Sequence, residues 1–138
     1  MTNNSFLCTQ KMKTLIKLGF CYSGYKYSWC PIRWHISEYK NDISYSLVEE
    51  NHENEFNSYY IPTFNSDELK NRLPNSIYYN GIEYFLDISD KCLKYIDNNN
   101  TTFNHIIGLS SKSKNNIDMC YDIWLKLLTL KNDKIISF

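Results

Sequence analysis

Seven of the 22 aromatic residues in this 138-residue chain lie between positions 20 and 39. The same stretch contains the basic residues Lys26 and Arg33, the titratable His35 and a single acid, Glu38. Aromatic rings stack on flat ring systems such as nucleobases, and Lys or Arg pairs with phosphate. The segment is therefore either a binding surface for a flat anion or the apolar core of a small sheet.

Apolar and polar residues alternate through this segment, which predicts a β-strand. The alternation changes phase at Cys30-Pro31. The apolar series is Tyr25, Tyr27 and Trp29 before this point, and Ile32, Trp34 and Ile36 after it. A one-residue shift sends side chains to the opposite face of a sheet. A bulge or bend at Cys30-Pro31 would return both apolar series to one face, and proline is tolerated at such a place.

With such a bulge, the polar side chains of the strand share the face opposite the aromatic series. We predict that this face is exposed and forms a ligand-binding site from the residues Tyr22, Lys26, Ser28, Arg33 and His35. Its basic side chains would meet phosphate, and an aromatic face would stack on a base. The expected ligand is a nucleotide-like small molecule.

No motif with catalytic or metal-binding spacing accompanies this segment. The chain has neither Gly-x-Ser-x-Gly nor a glycine-rich phosphate loop. Cys21, Cys30 and His35 are the nearest set of metal-binding residue types, but their spacing matches no zinc pattern. We therefore predict no catalytic residue, no metal and no cofactor. A small hydrolase that uses a cysteine or His35, His52 or His105 without a recognisable motif is an alternative.

The five cysteines are scattered and odd in number, and none forms a Cys-x-x-Cys pair. In a reducing compartment such cysteines are typically small, buried, apolar side chains. We therefore expect packing to be their role in this chain. They are Cys8, Cys21, Cys30, Cys92 and Cys120.

Length and charge narrow the class of protein. A chain of 138 residues is typical of one globular domain, here 1–138, that needs no disulfide or metal to fold. Fifteen basic and fifteen acidic residues cancel, which argues against a general nucleic-acid-binding protein. No stretch approaches the ~18–20 apolar residues of a membrane span, and the polar start of the chain is unlike a signal peptide. We expect a cytoplasmic protein.

Three helices are predicted, over residues 9–18, 65–73 and 117–128. Thr9 is the expected cap of the first helix, and Gly19 suits the left-handed position just past its end. Asn65 and Glu68 form the capping-box pattern that begins the second helix. The third helix carries an apolar stripe at helical spacing, and we expect its Trp124 to pack on a sheet.

The remaining segments alternate as strands joined by turns. Asn80-Gly81 is the favoured two-residue turn of a hairpin between residues 76–79 and 82–89, and Asn41-Asp42 supplies turn residues for another hairpin. Further strands are predicted over residues 43–47, 92–96 and 103–109. The apolar tail 135–138 either adds an edge strand or stays unpaired. Together these elements predict an α+β fold with small antiparallel meander sheets and two to three covering helices.

Three of these segments together resemble a known group of proteins. They are residues 14–20, which end in Leu18-Gly19-Phe20, residues 62–69, and residues 118–128. Their order is similar to that in a family of short, uncharacterised proteins of phages and prophages of Bacteroidetes. The alanine-rich start usual for the last helix of that family is absent here. The resemblance implies an accessory protein of a mobile element that acts against its host, and it transfers no site residue.

These observations favour a non-enzymatic, phage- or prophage-type binding protein that antagonises a host defence. It would capture a host protein or sequester a nucleotide-like small molecule, in the host cytoplasm if a phage encodes it. A single-stranded nucleic-acid-binding protein is an alternative that uses the same aromatic and basic residues. No membrane partner is expected, and a homodimer through a sheet edge is compatible with the predicted fold.

Overall fold

The computed structural model describes residues 6–36, 41–49, 60–89, 92–103 and 116–138. In chain order the described elements are α1 (Thr9–Lys17), β1 (Tyr27–Ile36), β2 (Asn41–Val48), β3 (Ile61–Thr63), α2 (Ser66–Asn71), β4 (Ser76–Tyr79), β5 (Ile82–Ser89), β6 (Cys92–Ile96), α3 (Asn116–Asn132) and β7 (Ile136–Ser137). The strands form a three-stranded sheet in the order β2-β1-β3 and a four-stranded sheet in the order β6-β5-β4-β7. All pairings are antiparallel. The predicted α+β class is confirmed.

Helix α1 ends as predicted but begins one residue earlier than its expected cap. Its N-cap is Cys8, which makes no side-chain capping bond, so the prediction of Thr9 as the cap is wrong. At the other end Gly19 has a φ of 101°, a left-handed conformation that glycine adopts without a Cβ clash. The amide of Phe20 then donates to the Leu15 carbonyl at 2.9 Å, which closes the helix in a Schellman motif.

Helix α2 begins with the predicted capping box. The Asn65 side chain accepts a hydrogen bond from the Glu68 amide at 2.8 Å, and the Glu68 carboxylate accepts one from the Asn65 amide at 3.0 Å. Two amide groups at the start of this short helix are satisfied in this way. The helix ends at Asn71, before the expected stop at Pro74.

The four-stranded sheet is built around the predicted hairpin. Asn80 and Gly81 have φ angles of 53° and 77°, as a type I′ turn requires, and they join β4 to β5. The predicted strand over residues 92–96 and the edge strand in the C-terminal tail are confirmed as β6 and β7. Of the strand predicted over residues 103–109, only Phe103 lies within the described residues. It is buried and helical, so the prediction is wrong at this residue.

The hairpin of β1 and β2 contains the predicted bulge. The register shifts between Pro31 and Arg33, which leaves Ile32 as the additional residue of β1. The prediction of a turn at Asn41-Asp42 is wrong, because the antiparallel ladder continues through both residues as the start of β2. The connection before them lies outside the described residues.

Trp124 of α3, expected to pack on a sheet, is buried in contact with Leu69 of α2 and with Phe20. Its indole N–H donates to the Leu69 carbonyl at 2.9 Å. That carbonyl lies in the last turn of α2, where helical carbonyls lack partners within the helix. The ring of Phe20 meets the indole edge to face at a centroid distance of 4.8 Å. Trp124 thereby joins α2 and the segment that follows α1 to α3.

The carbonyl oxygen of Leu7 accepts two side-chain hydrogen bonds. The Thr63 hydroxyl of β3 donates at 2.7 Å, and the Trp29 indole of β1 donates at 2.8 Å. The amide of Leu7 donates in turn to the Phe64 carbonyl at 3.1 Å. The segment before α1 is therefore attached to the free side of β3, and Thr63 and Leu7 are both buried there.

We expect Thr63→Val to lower the free energy of unfolding by about 1–2 kcal/mol, because the variant keeps the side-chain shape but removes a buried donor. Urea denaturation measures this loss. Thr129→Val is the matched control, since the Thr129 hydroxyl also donates to a carbonyl at 2.7 Å but is exposed on α3. An equal loss in both variants would contradict a special role for the buried bond.

Candidate functional site

The residues of the predicted ligand site lie in different environments. Lys26 is exposed, Tyr22 is half-buried, and Ser28 is fully buried. The ring of Tyr22 lies 6.4 Å from the ring of the buried Tyr25. Arg33 and His35 belong to β1 by their backbone, and their side chains lie outside the description. The ligand site as a whole therefore stays a prediction.

Ser28 does not lie on an exposed face, so this part of the expectation is wrong. It pairs with Val48 on one side and Pro62 on the other, because β1 is the central strand of its sheet. Pro62 is buried as well, which shows that this face of the sheet is covered around Ser28. The Ser28 hydroxyl has no hydrogen-bond partner among the described residues. The small side chain of Ser28 fits within this covered face of the sheet.

The aromatic series just before and within β1 serves largely for packing. Tyr25 is 1% exposed, Trp29 is half-buried with its N–H bonded to Leu7, and the ring of Tyr27 lies 4.7 Å from that of Phe6. These contacts leave little free ring surface at the described positions. The core interpretation of the segment is favoured at Tyr25, Tyr27 and Trp29.

Cysteine burial differs between positions. Cys120 is buried, as expected of a packing residue, whereas Cys8 and Cys21 are exposed and the expectation is wrong for them. A hydrogen bond with the Ser23 hydroxyl lowers the pKa of Cys21, and burial raises the pKa of Cys120 to about 11. Cys92 lies in β6, and its side chain is outside the description.

The described part of the chain offers no support for a metal site or for the hydrolase that the sequence left as an alternative. No group of three or more His, Cys, Asp or Glu side chains is placed there to hold a metal ion. His52 and His105 lie outside the described residues. None of the described helices has the length and apolar character needed to cross a bilayer.

The four-stranded sheet presents a face that sequence analysis missed. Paired residues share a face, and the buried pair Ile77 and Tyr84 marks the side that faces the core. The opposite side, here called the outer face, is formed by Ser76, Tyr78, Glu83, Phe85, Asp87, Lys94 and Ile96. The signal for it was the run Tyr84-Phe85-Leu86, because a strand directs three successive apolar residues to alternating faces.

Polar contacts surround the aromatic rings of the outer face. The Tyr78 hydroxyl donates to the Glu83 carboxylate at 2.9 Å, and this contact raises the pKa of Tyr78. Lys94 and Asp87 form an ion pair at 3.7 Å. Phe85 lies between Glu83 and Asp87 along β5 and pairs across the sheet with Ile96. The face therefore has an apolar centre with charged groups at its margin.

No family model, no curated protein and no solved structure matches the chain. The fold and the chemistry of its surfaces are therefore the basis for a functional proposal.

We expect Ser28→Ala to leave the free energy of unfolding unchanged or to raise it by up to about 1 kcal/mol, because the variant removes a buried hydroxyl without a partner. Urea denaturation measures the change. A loss of more than about 1 kcal/mol would show that the hydroxyl makes a stabilising hydrogen bond.

We expect a thiol reagent at pH 8 to modify Cys8 and Cys21 quickly and Cys120 only after unfolding.

The raised pKa of Cys120 predicts that the free energy of unfolding depends on pH. Between its ordinary pKa of 9.0 and about 11, the folded chain holds a proton that the unfolded chain has lost. The free energy of unfolding should therefore fall as pH rises through this window. A Cys120→Ala variant with the same slope would contradict this cause.

Proposed function

We propose that the chain is a non-enzymatic binding protein of a phage or prophage that captures a host protein and so antagonises a host defence. The observation that carries the proposal is the outer face, where Phe85 at the centre is 42% exposed and Tyr78 beside Glu83 is 47% exposed. Large aromatic side chains with this exposure are typical anchors of protein interfaces. The mobile-element origin rests on the resemblance of the helix-end and capping segments.

The charges of the outer face indicate the chemistry of the partner. Glu83 and Asp87 flank Phe85 on β5, and Lys94 balances only Asp87. A partner that presents an apolar side chain beside a lysine or arginine is complementary to this arrangement. A second copy with Phe85 against Phe85 would bring carboxylates of both copies together. Like charges across such a contact are unfavourable, so a different protein suits the face better than a second copy.

The nucleotide-like ligand predicted for the surface at Tyr22, Lys26, Arg33 and His35 has weaker support. Ser28 lies at the middle of that residue set and is fully buried. A face that is covered at its centre offers a flat ligand less room than an open one. The outer face has its two exposed rings on adjacent strands.

We expect Phe85→Thr to abolish capture of the partner, since threonine suits a strand but removes the aromatic anchor. Tagged wild type, Phe85→Thr and Lys126→Ala are each incubated with a lysate of a Bacteroidetes host. Lys126 is an exposed residue of α3 and serves as the matched control. One host protein should be retained by wild type and by the control, and at least tenfold less by Phe85→Thr. Titration calorimetry with that purified protein then gives the affinities.

Thermal melts of the variants show whether each is folded before capture is compared. Equal retention of the partner by folded Phe85→Thr would remove the outer face from the proposal. A dimer of wild type in light scattering that Phe85→Thr dissociates would identify a second copy as the occupant and overturn host-protein capture. Retention of no host protein by wild type would also overturn it.

A further inference from the structure

Helices α1 and α3 end with the same hydrogen-bond pattern but with different residues in the left-handed position. In α1 this residue is Gly19. In α3 it is Lys134, with a φ of 61°, while the Ile135 amide donates to the Leu130 carbonyl at 2.9 Å. Glycine adopts the left-handed conformation readily, and lysine is strained there. The choice of lysine therefore calls for a role of its side chain.

Lys134 lines an open surface pocket of about 650 Å³, here called the end cavity, beside the Asn80-Gly81 turn and β7. Lys131, Tyr78 and Phe138 line it as well. Nine described residues form the lining, and none of them has an acidic side chain. The volume falls within the range of small-molecule sites. Two lysine ammonium groups, with no acidic side chain in the lining, favour a negatively charged occupant.

The aromatic rings of the end cavity supply a second kind of contact. The Lys131 ammonium lies 4.3 Å from the centre of the Phe138 ring, which places a cation beside an aromatic face. The Tyr78 hydroxyl is held by Glu83, so its ring is fixed in position. Glu83 accepts this hydrogen bond, and its charge directs an anionic group away from Tyr78. The anion therefore fits at the lysines, and a flat ring fits at Tyr78.

We infer that the end cavity binds a small aromatic monophosphate, with its phosphate between Lys131 and Lys134 and its ring against Tyr78. A phosphate monoester carries close to two negative charges at neutral pH, which matches two ammonium groups. Lysine binds phosphate as a compact point charge and needs no fixed fork geometry. The site shares Tyr78 with the outer face, but it includes neither the aromatic segment of β1 nor Phe85.

Titration calorimetry of the full chain with adenosine monophosphate tests this inference. We expect adenosine, which lacks the phosphate, and inorganic phosphate, which lacks the ring, each to bind at least tenfold more weakly. Lys134→Gly should weaken binding of the monophosphate at least tenfold and raise the melting temperature, because it relieves the left-handed strain. Lys131→Gln should weaken binding as well, and Lys126→Gln, on the exposed surface of α3, should not.

The rise in melting temperature shows that Lys134→Gly is folded, so its loss of binding reports on the missing cation. No binding at millimolar adenosine monophosphate would overturn the inference. Equal binding by Lys134→Gly and wild type, or equal binding of adenosine and its monophosphate, would also overturn it. A lower melting temperature for Lys134→Gly would show that lysine stabilises the helix end, and the argument from strain would be lost.

Discussion

The carbonyl oxygen of Leu7 is the acceptor on which the arrangement of the N-terminal half depends. It takes hydrogen bonds from Thr63 and Trp29, which lie on two neighbouring strands. A buried carbonyl with two donors holds the chain segment before α1 in one position against β3. Helix α1 starts directly after this segment, so its place relative to the three-stranded sheet follows from the same contact.

Contacts at the end of α1 link it to the other two helices. The Schellman motif at Gly19 directs Phe20 into the core, where its ring meets those of Phe64 and Trp124. Trp124 then bonds the last turn of α2 through the Leu69 carbonyl. The Asn132 side chain donates to the Leu18 carbonyl at 2.8 Å, which ties the end of α3 to the end of α1. Each of these carbonyls at a helix end lacks a hydrogen-bond donor within its own helix and accepts a hydrogen bond from α3 instead.

Both proposed binding surfaces belong to the four-stranded sheet. The outer face exists because β5 continues through three successive apolar residues, one of which must face away from the core. The end cavity exists because the chain reverses at Lys134 and returns as β7 to pair with β4. The sequence offered the aromatic segment around β1 as a candidate binding surface. At its described positions this segment contributes mainly to packing.

The sequence by itself determined the features that depend on neighbours a few residues apart. Gly19, the Asn65 and Glu68 capping box, the Asn80-Gly81 turn and the bulge after Pro31 are as predicted, since each is a short-range solution to backbone hydrogen bonding or steric strain. Only the tertiary structure decided what is covered and what is open. Ser28 is buried because its face of the sheet is covered, Trp124 finds its acceptor 55 positions away, and Lys134 shares a cavity with Tyr78. Burial and cavities arise from contacts between distant segments, and no local pattern of residues specifies which segments meet.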